Sequence, residues 1–273
     1  MHVSSISITF KSSLTFLTSF WSHIEFGTAR SETSTSLNMC GIFGIFSSSL
    51  EEGALRKELI QCSETLRHRG PDWSGYVVIP ADEDKPLAHG IAHERLAIMD
   101  PESGSQPLVS EDENVIVAAN GEIYNYKEVY KALKDAGHEY SPKTGSDCEV
   151  MLPLYEKYGA TEEMVNTLRG MFSFILYDKA KDMYVVARDH IGITPLYIGW
   201  ANDGSTYIAS EMKALVNSCN TVQQFPPGHI FCSKGENAGK FVRWYTPEWA
   251  INPTGPLPTD KYNAVSTHRW NCL

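Results

Sequence analysis

From residue 40 onward, apolar and polar positions follow two rhythms that divide the chain into elements. The run CGIFGIF (40–46) is almost wholly apolar and carries two glycines. That predicts a buried strand with another backbone passing close over it. Next, Leu55, Leu59, Cys62 and Leu66 recur at helical spacing, and Gly70-Pro71 ends the helix. Strand-like segments follow at GYVVI (75–79), GIAHERLAIM (90–99) and NVIVAANGEIY (114–124). Two helical stretches, 126–137 and 147–159, come after them. The second half is rich in short strands: MFSFILYD, MYVVARD, PLYIGW, TYIAS, HIFC and KFVRWY. The first two of these are joined by a polar turn and read as a hairpin. Strands, then helices, then strands again predict an α+β layered domain rather than alternating parallel units.

The ends of the chain lack either rhythm. Residues 1–39 are Ser/Thr-rich, with no acid before Glu25 and only Lys11 and Arg30 as basic groups. This is too polar for a secretory core and too poor in arginine for an organellar transit peptide, so it is expected to be a disordered or removed leader. The domain proper is expected over 40–249. Residues 250–273 are Pro-rich and aperiodic, and they are expected to be a truncated linker stub.

Composition narrows the class of protein. A chain of 273 residues with 42% hydrophobic and 21% charged residues can bury a sizeable core. A net charge of −10 argues against nucleic acid or an anionic membrane surface as partner. No apolar run is long enough to span a bilayer as a helix. The six cysteines are scattered with no C-x-x-C pair, which suits a reducing, cytoplasmic compartment. His89 and His93 stand four apart, but the sequence His93-Glu94-Arg95-Leu96-Ala97 lacks the second histidine of a zinc-helix motif, and the segment alternates like a strand. No metal is expected.

Met39-Cys40-Gly41 raises a chemical possibility. A cysteine normally needs a neighbouring base, most often a histidine, to become a thiolate. If Met39 is removed, Cys40 carries its own base, a free α-amine with a pKa of about 7.7–8.0. The segments MCGIFGIF, RHRGPDWSG, HERLAIMD, NGEIYNY, TGSDCEV, RDHIGITPLYIGW, SEMKAL and FPPGH then occur in that order between residues 39 and about 249. Together they closely resemble the glutaminase half of glutamine-hydrolysing asparagine synthetases, a class II amidotransferase with the N-terminal-nucleophile hydrolase fold. The resemblance implies a four-layered αββα sandwich of two antiparallel sheets and L-glutamine as substrate. It implies Cys40 as nucleophile, with the Asn120 side chain and the Gly121 N–H as oxyanion donors. By itself, Asn120-Gly121 would read as a tight hairpin turn. The resemblance further implies that Arg95 clamps the substrate carboxylate and Asp147 its ammonium, with main-chain contacts around Leu96, Ile98 and Glu122. RHRGPDWSG resembles the family's mobile loop that closes over substrate.

The synthetase half of that family carries a Ser-Gly-Gly-x-Asp-Ser loop, which does not occur in this sequence. No cofactor is therefore expected in this chain, and ATP and magnesium would belong to an absent synthetase domain, in cis or in trans. A homodimer is a further expectation. The rival reading is a catalytically silent truncated form that acts as a binding or dimerising module.

Overall fold

A computed structural model describes residues 39–98, 100 and 102–247 of the protein. The leader expected over 1–39, Met39 excepted, and the linker stub expected over 250–273 lie outside the described residues. The first element is strand β1 (Gly41–Ser48), followed by helix α1 (Glu52–Glu64), β2 (Trp73–Ile79), β3 (Ala88–Arg95), β4 (Leu108–Val109) and β5 (Val115–Ile123). Then come α2 (Tyr126–Asp135), a 3₁₀ turn at Asp147–Val150 that runs into α3 (Met151–Tyr158), and α4 (Glu162–Asn166). Strands β6 (Gly170–Asp178), β7 (Met183–Arg188), β8 (Tyr197–Trp200), β9 (Thr206–Ala209), β10 (Thr221–Gln224), β11 (His229–Cys232) and β12 (Phe241–Arg243), with a second 3₁₀ turn at Met212–Ala214, complete the described part.

The strands form two antiparallel sheets, ordered β10-β8-β9-β1-β3-β2 and β12-β11-β7-β6-β5-β4. Alternation along each strand supplies two buried faces, one for each neighbouring layer. On β1, Ile42 and Phe46 face the second sheet, where they meet Ile175, Tyr177 and Val186. Phe43 and Ile45 point the other way and pack with Leu55, Leu59 and Leu66 at α1. The second sheet turns its outer face, including Val117, Phe174 and Val185, toward α2, α3 and α4. The result is the expected α+β sandwich of four layers, helix, sheet, sheet, helix.

Differences from the sequence reading are local. Gly44 is approached by side chains rather than by backbone, since a Cβ there would lie 2.7 Å from the Phe46 ring and 3.3 Å from Ile175 Cδ1. The strand expected over 90–99 stops at Arg95, where the chain leaves the sheet to pass Cys40. The hairpin of β6 and β7 forms in unbroken register from Ser173↔Arg188 to Asp178↔Met183. The short elements β4, β10 and α4 carry too few apolar positions to show a period. Among the described residues no helix is long and apolar enough to cross a membrane.

The inter-sheet layer rests on aromatic stacking, with the Phe46 and Tyr184 ring centroids 4.3 Å apart and nearly parallel. Phe46→Ala should lower unfolding free energy by about 3–5 kcal/mol, the range for emptying a fully buried aromatic site. Urea unfolding of the full chain followed by tryptophan fluorescence measures this. A loss below about 1 kcal/mol would mean that the two sheets are not held together through this layer.

Candidate active site

The site begins where β1 begins. Cys40 immediately precedes this central strand, and its sulfur accepts the Leu96 N–H at 3.3 Å. Its carbonyl accepts from Arg69 Nε at 3.1 Å, and Arg69 in turn donates to Glu211 at 2.9 Å. Burial pushes the Cys40 thiol above its ordinary value, opposed by the Leu96 N–H and by the Arg95 and Arg69 charges. The thiol therefore keeps its proton at neutral pH until a base takes it.

The second wall is the edge of β5. Strand β4 covers β5 only opposite Val117 and Ile116, so the rest of that edge has no neighbouring strand among the described residues. Odd-numbered residues of β5 turn their peptide groups outward there, and side chains meet them. Ala119 N–H donates to Gln106 Oε1 at 2.7 Å, its carbonyl faces His93 Nε2 at 3.1 Å, and Ile123 N–H donates to Asp147 Oδ2. The same alternation aims the intervening N–H of Gly121 into the cavity that Gly121 lines. Only glycine fits at this position. Its φ is +140°, and a Cβ would lie 1.9 Å from the Met171 carbonyl oxygen. Asn120-Gly121 thus sits inside a strand, paired with Ser173 and Phe172, and the hairpin-turn reading does not hold.

All eight residues singled out from the sequence line one cavity of about 290 Å³: Cys40, Arg95, Leu96, Ile98, Asn120, Gly121, Glu122 and Asp147. Ile98 sits exposed on the rim, while Arg95, Asn120 and Asp147 are buried. Arg95 donates to the Asp100 carbonyl. Burial raises the Asp147 carboxyl above its usual range, against the Ile123 N–H that favours its charged form. An incoming cation would relieve that desolvated charge. Among the described residues no three His, Cys, Asp or Glu side chains converge as metal ligands. His89 instead faces Asp182 at 3.0 Å, and His93 faces Ala119.

Sequence reasoning missed Gln106, Cys148, Met171 and Ile193, which also line the cavity: Gln106 and Ile193 reach it from loops, Met171 from β6, and Cys148 from the 3₁₀ turn beside Asp147. The segment expected to be a mobile lid, 67–75, is tied down in this structure. Buried Glu94 accepts Ser63 Oγ at 2.6 Å and also Ser74 Oγ, while Arg67 donates to Ser74.

The model for the glutamine amidotransferase domain matches residues 39–232, most of the chain and every wall of the cavity. The chain belongs to the glutamine amidotransferase family. The asparagine synthetase [glutamine-hydrolyzing] of Asparagus officinalis is 47% identical over 225 residues, which are 81% of this amidotransferase chain and 35% of that protein. Asparagine synthetase [glutamine-hydrolyzing] 2 of Arabidopsis thaliana is 49% identical over 222 residues, 81% of this chain and 36% of its own length. The chain thus spans a little over a third of the length of the curated relatives it matches. Among solved structures, the glutamine phosphoribosylpyrophosphate amidotransferase of B. subtilis superposes with a TM-score of 0.60 at 23% identity, over 76% of this chain and 50% of that one. That likeness is one of fold.

The half-buried thiol generates a test. In the full amidotransferase chain, iodoacetamide should modify Cys40 more slowly than free cysteine at pH 8. The rate should keep rising as pH passes through the ordinary thiol range, because the raised pKa leaves less thiolate. Peptide mass spectrometry reads the rate at Cys40 alone. Full-rate modification at pH 7 would show a thiolate and overturn this account.

Proposed function

We propose that this chain is a glutaminase domain of the asparagine-synthetase type, which hydrolyses L-glutamine to glutamate and ammonia once Cys40 is exposed as the N-terminal residue. The observation that carries this reading is one small cavity lined by a thiol, the Asn120 amide, Gly121, a buried cation and a buried anion. A zwitterionic amino acid with a side-chain amide needs each of these groups.

The Cys40 α-amine takes the thiol proton, and the sulfur attacks the side-chain amide carbon. The tetrahedral oxyanion is held by Asn120 Nδ2–H and Gly121 N–H. The same amine returns the proton to the leaving nitrogen, ammonia departs, and a γ-glutamyl thioester remains. Water attacks the thioester and releases glutamate and the free thiol. Arg95 holds the substrate α-carboxylate, Asp147 holds the α-ammonium, and backbone around Leu96, Ile98 and Glu122 completes the grip. With residues 1–39 attached, the amine is an amide and accepts no proton, so the intact chain is inactive. Ammonia passes to a synthetase domain in cis or in trans, where ATP and magnesium belong, in the cytoplasm and in a homodimer.

The test uses full chain that is folded intact and then cleaved before Cys40 at an engineered protease site. Cleaved protein should release ammonia from L-glutamine, and uncleaved protein should not. Activity of uncleaved protein, with mass spectrometry showing residue 1 still attached, would remove the amine from the mechanism. In the cleaved protein, Arg95→Ala should raise KM strongly, with L-glutaminamide a poor substrate of the unaltered form. Asn120→Ala should lower kcat by about 10²–10³ with little change in KM, because the oxyanion exists only in the transition state. Equal turnover of glutamine and glutaminamide would rule out the carboxylate clamp.

A further inference from the structure

Beside the cavity, the inter-sheet layer contains a polar set of which the mechanism above uses only the Asn120 amide. His93 on β3, Asn120 on β5 and Ser173 on β6 are all fully buried. Asn120 and Ser173 are direct cross-strand partners, and both sit in alternation with residues that face the opposite sheet, Ala118 and Ile175. Four of their polar atoms have no partner among the described residues: His93 Nδ1, Asn120 Nδ2, Asn120 Oδ1 and Ser173 Oγ. Buried polar atoms are paired in the great majority of cases, by protein or by ordered water.

Donor and acceptor roles in this set can be assigned. The Ala119 carbonyl only accepts, so the His93 Nε2 beside it at 3.1 Å carries the hydrogen. Burial holds the imidazole neutral, with its pKa pushed down to about 4. His93 Nδ1 is therefore a bare acceptor. Asn120 presents one acceptor and one two-hydrogen donor, and in shape alone the two ends are nearly interchangeable. A flipped amide would aim its oxygen into the cavity, toward the position where negative charge develops. Something must therefore prefer Oδ1 inside the layer.

We infer that Ser173 and His93 are positioning residues for the Asn120 amide and act through one water held between them. That water donates one hydrogen to His93 Nδ1 and the other to Asn120 Oδ1, and it accepts the Ser173 O–H. Three partners are the usual complement for a buried water. Every group in the set is then satisfied with Oδ1 turned inward, which leaves Nδ2–H for the cavity. His93 contributes twice, since its Nε2–H also fixes the Ala119 peptide that precedes Asn120. This inference rests on the oxyanion role proposed for Asn120.

The test again uses full chain folded intact and cleaved before Cys40. Ser173→Ala should lower kcat for L-glutamine about tenfold with KM within about twofold, and Ser173→Thr, which restores the hydroxyl, should recover most of the loss. In an Asn120→Ala background, adding Ser173→Ala should change nothing further, because the group being oriented is gone. If Ser173→Ala matches the unaltered kcat while Asn120→Ala is slow, this inference falls and the oxyanion assignment survives. If Asn120→Ala keeps full kcat, the oxyanion assignment itself falls. Additive losses in the double variant would make Ser173 a structural residue only and overturn the inference. Imidazole ¹⁵N NMR on the uncleaved chain gives a reading independent of activity. His93 should show a protonated Nε2 and a bare, hydrogen-bonded Nδ1, and its Nδ1 signal should shift in Ser173→Ala. The opposite tautomer would overturn the inference.

Discussion

A peptide N–H on a buried sheet edge needs an acceptor, and leaving it without one costs about 1–3 kcal/mol. Strand β5 meets that demand with side chains because β4 ends after two residues. Gln106 takes the N–H of Ala119, Asp147 takes that of Ile123, and the one between them, on Gly121, looks into the cavity. The loop that carries Gln106 and the 3₁₀ turn that carries Asp147 are therefore held by the same edge that faces the thiol. Lengthening β4 by a few residues would satisfy the sheet and abolish the site.

The same geometry explains the electrostatics. Arg95 and Asp147 are both buried in the wall of one cavity, where charge is felt more strongly than in bulk water. Neither the thiol nor the carboxyl is at ease there, since burial raises the pKa of each. A ligand that brings a matching ammonium and carboxylate replaces lost hydration at both ends.

Much of this was legible in the sequence, and the pattern of misses has a physical cause. The apolar run at 40–46 and the hairpin of β6 and β7 are long, two-faced segments whose period survives in one dimension. Helix α1 was equally plain from Leu55, Leu59 and Leu66. Asn120-Gly121 alone fits a turn as well as a distorted strand, since both ask for glycine; the register with Ser173 and Phe172 decides for the strand expected over 114–124. Strand β3 ended early because what stops it is tertiary, the passage of Leu96 over Cys40. Gln106 and Ser173 left no trace in the sequence, since their meaning lies in which backbone groups they face. His93 drew attention for the wrong reason, as half of a metal motif, when its role is to hold a carbonyl.

Glu94 and Arg95 are consecutive on β3, so their side chains leave the strand on opposite faces. Glu94 gathers Ser63 from α1 and Ser74 from β2, while Arg95 reaches the cavity. The end of this strand therefore joins two places one peptide apart: Glu94 anchors the segment 67–75 through Ser74, and its neighbour Arg95 forms part of the cavity wall.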